Sequence, residues 1–231
     1  MRGRKIQYWV IPPKNNAEFV ANMEEVLETY VRPYDPIYPV ICMDEQPVQL
    51  IKETRQPIPE TVKYPRRVDY EYERNGTACI FMFTEPLSGW REAIARSHRT
   101  KIDWAIEVAR ILEGRYADCD KITLVSDNLN THTKGAFYEA FEPEHARALL
   151  HRIDFCYTPK HGSWLNIAEN ELSAMTRQCF ADRRIGDMKT LKKEISAWSV
   201  DVNNRQRGVE WHMKIEDARY KLKSIYPKIK I

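Results

Sequence analysis

At 231 residues, with 43% hydrophobic and 30% charged residues, the chain has the composition of a soluble globular protein and the length for one elaborate domain, or a domain plus an arm. No apolar run approaches the roughly 18 residues of a membrane span, and the five cysteines, odd in number and without a C-x-x-C pair, signal neither a zinc site nor a disulfide framework, which fits a reducing cytoplasm. The net charge of +3 is unevenly spread: from Arg183 to Ile231, 13 Lys/Arg stand against 6 Asp/Glu, a basic tail suited to phosphates or simply a solvated helical face.

The opening MRGRKIQYWV lacks the apolar core of a secretory signal. Residues 15–31 then place Phe19, Val20, Met23, Val26, Leu27 and Tyr30 at helical spacing behind an Asn cap. So wide a stripe packs on its own domain or on a second copy, while Glu18, Glu24, Glu25 and Glu28 make the outer face acidic. After the breaker RPYDPIYP, VICMDE (40–45) is a short strand ending in acids, and RRVDYEYERN with TACIFMFTEP reads as a hairpin turned at Asn75-Gly76. GWREAIARS adds a third strand. Thr100 and Asp103 form a capping box for a helix that buries Trp104, Val108, Ile111 and Leu112 and ends near Gly114.

A strand over 121–126, a helical stretch over 134–151 interrupted at Pro143, a strand over 153–158, the loop PKHGS and a helix from about Ser163 to Phe180 follow. Asp187 opens a helix with Met188, Leu191, Ile195, Trp198 and Val202 in register, and IEDARYKLKSIY forms a last helix before Pro227. A hairpin-rich first half followed by alternating strands and helices predicts an α/β fold with a mixed sheet flanked by helices, the first three strands antiparallel, the first and fourth able to lie side by side.

That arrangement would bring three acids together: Asp44 at the end of the first core strand, Asp127 at the end of the fourth, and Glu169 in the first turns of a helix. Strand ends are where open α/β sheets place ligands. Two carboxylates about 4 Å apart at an effective dielectric of about 20 repel by roughly 4 kcal/mol, so a trio of them calls for cations, and oxygen ligands without His/Cys spacing point to Mg²⁺ or Mn²⁺. Glu45 competes with Asp44, and Glu171 with Glu169, since both helical acids flank the stripe of Leu165, Ala168, Leu172 and Met175. A lone strand-end Asp is more often a turn residue, and Asn128 is equally suited to an Asx turn. His132 can orient Asp127, touch a phosphate or cap the next helix, the last being the commonest role. Lys160, His161, Ser163 and Asn166 stand beside a helix N-terminus that can grip a phosphate, with Ser163 as a candidate cap.

CMDE (42–45), LVSDNLNTH (124–132) and YTPKHGSWLNIAENELS (157–173) resemble, in order, the three motif blocks of DDE transposases, specifically the bacterial insertion-sequence branch of the mariner group. The likeness runs from about residue 5 to Pro227 and includes VDYEYERNGTA and EDARYKLKSIYP, although WHMKIEDAR departs from the Thr-rich lead-in of the family. The resemblance implies a ribonuclease-H-like catalytic domain over 36–204, between an N-terminal helical arm (1–35) and a basic C-terminal helical tail (205–231). It makes Asp44, Asp127 and Glu169 the catalytic and metal-binding trio, with 41 residues between the last two, and it alone selects Glu169 over Glu171.

The implied cofactors are two divalent cations, Mg²⁺ or Mn²⁺, bridged by Asp44 and held singly by Asp127 and Glu169. Asn128, His132, Lys160, His161 and Asn166 become supporting or DNA-contacting residues. The implied activity is cleavage and strand transfer of a mobile element, with target joining at deformable TA steps, by a homodimer on the nucleoid DNA of a prokaryotic cytoplasm. A ribonuclease-H-like nuclease or resolvase would use the same acids without strand transfer, and a truncated remnant would only coat DNA, against which the intact trio speaks. Family members usually carry helix-turn-helix units ahead of the catalytic part. Here Met1 precedes Asp44 by only about forty residues, so end recognition is expected from elsewhere, such as a separate helix-turn-helix polypeptide.

Overall fold

The computed structural model describes residues 16–181 and 183–228; the MRGRKIQYWV segment and the outermost ends of the expected arm and tail lie outside them. Five strands, β1 (Val40–Glu53), β2 (Tyr72–Glu85), β3 (Trp90–Arg96), β4 (Ile122–Ser126) and β5 (Ile153–Tyr157), form one sheet in the order β3-β2-β1-β4-β5. β1, β2 and β3 pair antiparallel, whereas β1, β4 and β5 pair parallel through helical crossovers. The mixed sheet and its strand directions agree with the sequence pattern. No helix among the described residues is long and apolar enough to cross a membrane.

β1 sits at the centre because Ile41, Cys42 and Met43 are apolar on both faces, and all three are fully buried. One face is covered by α1 (Ala17–Tyr30), α5 (Ile167–Met175), α6 (Met188–Arg205) and α7 (Ile215–Lys221), whose apolar side chains join Cys42, Ile80, Met82 and Val125. The other is covered by α2 (Lys101–Glu113), α3 (Lys134–Ala140) and α4 (Pro143–His151), which pack Trp104, Leu112, Phe137 and Leu149 on Ile41, Met43, Phe81 and Leu124. Neighbours along a strand face opposite sides, so Cys42 and Asp44 belong to the α5 side, Met43 and Glu45 to the α2 side.

α1 is capped by Asn16, whose side chain accepts from the Phe19 N–H, and its stripe of Phe19, Met23, Val26, Leu27 and Tyr30 is buried. Each such side chain contributes about 1.5–3 kcal/mol. Of the two expected packings, the stripe takes the one on its own domain. The C-terminal segment closes over it: Ala218 and Ile225 are buried, the Asn16 N–H donates to the Ile225 carbonyl at 2.9 Å, and Arg219 grips both oxygens of Glu24 at 2.8 and 2.9 Å. Glu18, Glu25 and Glu28 remain exposed.

The capping box of α2, the break before Pro143 and the Asp187 cap of α6 are as expected. Three features differ. Asn75-Gly76 turns no hairpin: β2 runs straight through it, and Gly76, at φ +86°, forms a bulge where two residues of β2 oppose Leu50 alone. The hairpin partners are β1 and β2, joined by the long 54–71 connection with an Ile58–Arg67 bridge. Second, Asp44 is not at a strand end, because β1 continues to Glu53 as a ribbon with β2. Third, the helix expected over 163–180 is broken at Asn166, whose extended backbone (φ −84°, ψ 111°) separates a 3₁₀ turn (Ser163–Leu165) from α5, which relaxes into a π turn (Thr176–Phe180).

Candidate active site

β4 pairs with β1 only over Val40–Cys42, opposite Thr123–Val125. Continued two residues, that register sets Asp44 level with Asp127, at the point where β4 ends and β1 goes on alone. Asp44 therefore stands beside a strand terminus although its own strand does not stop. α5 crosses the same face with Glu169 exposed in its first turn, while Asn166 fastens the helix start to the sheet. The Asn166 amide donates to the Met43 carbonyl at 2.9 Å and accepts from the Ala168 N–H at 3.1 Å. Asn166 is thus a buried support and Ser163 does not cap α5.

The Asp44 carboxyl is pushed up to about 7, first by burial, against the pull of the Glu45 N–H that donates to its Oδ1 at 2.7 Å, and then by the charges of Asp127, Glu169 and Glu45. Acids from three elements thus act on one point. The two competitors are engaged elsewhere. Glu171 is buried against Arg91 at 2.8 Å, and the Glu45 side chain is 1% exposed.

Glu45 meets His132 instead. The His132 ring is buried and stacked on Trp104 with centroids 5.1 Å apart; its Nε2 is 3.1 Å from Glu45 Oε1, and its Nδ1 bonds the Asp127 backbone carbonyl at 3.1 Å and lies 2.7 Å from Asp127 Oδ1. Burial opposes charge on the ring, but the Asp127 and Glu45 carboxylates that stand against its two nitrogens outweigh it and hold the group up to about 9. His132 does not cap α3; that position belongs to Thr133. Sequence reasoning weighed Glu45 only as a rival of Asp44 and missed its pairing with His132. The signal was there in strand alternation, which sends the second acid of Asp44-Glu45 to the opposite face.

Asn128, Lys160 and His161 are exposed around a cleft of about 540 Å³ that also includes Asn16, Asn22, Asp127 and Ser163. His161 holds a left-handed backbone at φ 66°, uncommon outside Gly and Asn. A second cleft, about 470 Å³ along β3, includes Asp103 and Glu107, but both acids are spent on Arg96 at 2.8 and 2.6 Å. Among the described residues, no three His, Cys, Asp or Glu side chains are drawn tightly enough together to enclose an ion. Mutual repulsion opposes closer approach of bare carboxylates.

Sheet order and helix placement define an α/β domain that resembles the ribonuclease-H-like fold, and solved structures share this fold. The chain superimposes on the Mos1 mariner paired end complex with Mn at TM-score 0.58 and 14% identity, covering 98% of this chain and 68% of that one. It matches the mariner Mos1 paired end complex with Mg at TM-score 0.55 and 13% identity (97% and 68%), and the Mos1 strand transfer complex at 0.55 and 13% (90% and 67%). No curated protein sequence matches it. The chain belongs to the DDE superfamily endonuclease family, whose model matches residues 39–192 and so takes in all three acids.

Proposed function

We propose that the chain is the catalytic domain of a DNA transposase that cleaves DNA and joins the freed 3′-hydroxyl to a target, with Asp44, Asp127 and Glu169 as its catalytic acids. The observation that carries this reading is geometric: the β1–β4 register sets Asp44 level with Asp127, and the Asn166–Met43 bond lays the helix start that bears Glu169 on the same strand, an arrangement in which burial and then the charges of Asp127 and Glu169 raise the Asp44 carboxyl. Membership of an endonuclease family and the fold shared with a mariner transposase support it.

The donor set fits hard divalent cations. It consists of carboxylate oxygens, the nearby His132 is already engaged at both nitrogens, and Asp127 Oδ1 has no well-aligned hydrogen bond. Asp44, Asp127 and Glu169 would hold two Mg²⁺ or Mn²⁺ ions, which supply, when bound, activation of the attacking oxygen and stabilisation of the leaving one. The chain's own work is orientation: Asn166 sets Glu169 over β1, the β1–β4 register sets Asp44 beside Asp127, and Lys160, His161 and Asn128 offer positive and polar groups to the phosphates entering the cleft. The partners in this reading are transposon-end and target DNA, the latter at TA steps, with two copies on the DNA.

The test is incubation of a labelled duplex with an unlabelled target and Mg²⁺ or Mn²⁺. Products in which the 3′ end is covalently joined to target support transposition. Nicking without joining would reassign the domain to a nuclease, and neither product would overturn the reading.

A further inference from the structure

We propose that Glu45 is a positioning residue for the catalytic centre: acting through His132, it fixes the Asp127 carboxylate in place beside Asp44. The inference rests on the assignment of Asp44 and Asp127 to a cation site.

The geometry separates two kinds of acid. Asp44 and Asp127 lie on the α5 side of the sheet, at the level where β4 ends. Glu45, one residue on, points to the α2 side, where its side chain is 1% exposed and out of reach of solvent or DNA. A carboxylate so buried requires a partner, and the partner is the imidazole that reaches around the end of β4. His132 bonds Glu45 Oε1 through Nε2 at 3.1 Å, while its Nδ1 bonds the Asp127 backbone carbonyl at 3.1 Å and lies 2.7 Å from Asp127 Oδ1, so the ring links Asp127 to an acid on the other face of the sheet.

The ring has little freedom to do anything else. Trp104 stacks on it at 5.1 Å with 24° between the planes, and the Tyr157 hydroxyl donates to the His132 carbonyl at 2.9 Å. Arg99 Nε stands 3.9 Å from the other Glu45 oxygen, which has no hydrogen bond of its own. Asp127 is held at its backbone carbonyl and has the imidazole 2.7 Å behind its Oδ1, while a third of its side-chain surface, 33%, stays open. A carboxylate ordered from behind and open in front is how outlying hydrogen bonds orient the groups that hold a metal, and losing such a partner typically costs about 10–100-fold in metal affinity.

The experiment is a Mn²⁺ titration of the full chain, read by the electron paramagnetic resonance signal of free Mn²⁺, for wild type, Glu45→Gln, His132→Asn, the double variant and Asp44→Asn. Asn at 132 keeps an amide near the ring's Nδ1 position but cuts the link to Glu45. Glu45→Gln is expected to weaken binding about tenfold or more, and the same change in the His132→Asn background to add nothing. Thermal unfolding without metal identifies variants that are folded, and Glu45→Met serves if Gln is not.

Wild-type affinity in folded Glu45→Gln and Glu45→Met, with affinity lost in Asp44→Asn, would overturn the positioning role and leave the cation site standing. A Glu45→Gln loss that persists undiminished beside His132→Asn would show a field effect of the charge, and would overturn the route through His132. Unchanged affinity in Asp44→Asn would remove the site itself, and the inference with it.

Discussion

The Asn166 amide donates to the Met43 carbonyl one residue before Asp44, so the cap of the helix that carries Glu169 is bonded to the strand that carries the first acid. Replacement by Ala removes a helix cap and strands a buried carbonyl, at a combined cost of about 2–4 kcal/mol. We expect Asn166→Ala to lower the urea midpoint correspondingly and, under conditions where the variant is folded, to reduce DNA cleavage while leaving DNA affinity unchanged. Full cleavage by the folded variant would show that the bond supports the fold alone.

Glu171, two residues from Glu169, is read as structural. It is buried against Arg91, whose other partners are the Gly89 and Arg207 carbonyls, both at 2.7 Å. Glu171→Ala leaves a guanidinium buried without its counter-charge, a loss of about 3–5 kcal/mol. The expected result in denaturant unfolding is strong destabilisation, whereas Glu169→Ala, at an exposed position, leaves stability within about 0.5 kcal/mol. Equal stability of the two variants would contradict the division of roles.

Asp44 and His132 should both lower metal-free stability as pH rises from about 4 to about 9. Asp44 goes from an ordinary 3.8 to about 7 in the folded chain, so the folded state holds its proton more tightly than the unfolded state does. The resulting penalty is absent below about 4 and complete above about 7, where it amounts to about 4 kcal/mol. His132, raised from 6.5 to about 9, contributes stability that is full below 6.5 and is lost as pH rises through about 9. In chemical denaturation Asp44→Asn should exceed wild type in stability at pH 8, and the excess should vanish near pH 4. A pH-independent difference would contradict the assignment.

The basic C-terminal region is less free to meet DNA than its composition suggests. Arg183, Arg184, Arg205 and Arg219 pair with Glu194, Glu53, Asp201 and Glu24. Lys214, Lys221 and Lys223 are exposed. Their joint change to Glu should weaken DNA binding and reduce the slope of log affinity against log salt by roughly 0.9 for each phosphate that is no longer neutralised. An unchanged slope would mean that this face is only solvated.

Much of this architecture is legible in the sequence because it rests on local chemistry. The Thr100–Asp103 capping box, Pro143, the Asp187 cap and the stripe of α1 each act over a few residues. What local patterns could not supply is set by pairing between distant segments. Asn75-Gly76 is a turn signal in isolation, but the β1–β2 ladder absorbs it as a bulge, and Asn75 instead donates to the Gly186 carbonyl at 2.6 Å. Asn166 breaks the helix expected over 163–180 because its amide bonds to a strand 123 residues earlier. His132 is a plausible cap from its neighbours alone. Only the burial of Glu45, which depends on the whole α2 layer, makes it the link between two acids.

The most direct test of the account is DNA nicking in Mg²⁺ or Mn²⁺ by the wild-type chain and by Asp44→Ala, Asp127→Ala and Glu169→Ala, each shown to be folded by circular dichroism and each assayed with matched DNA affinity. The convergence of the three acids predicts that every one of these variants loses cleavage while the wild type cuts. Cleavage at the wild-type rate by any one of the three would contradict it.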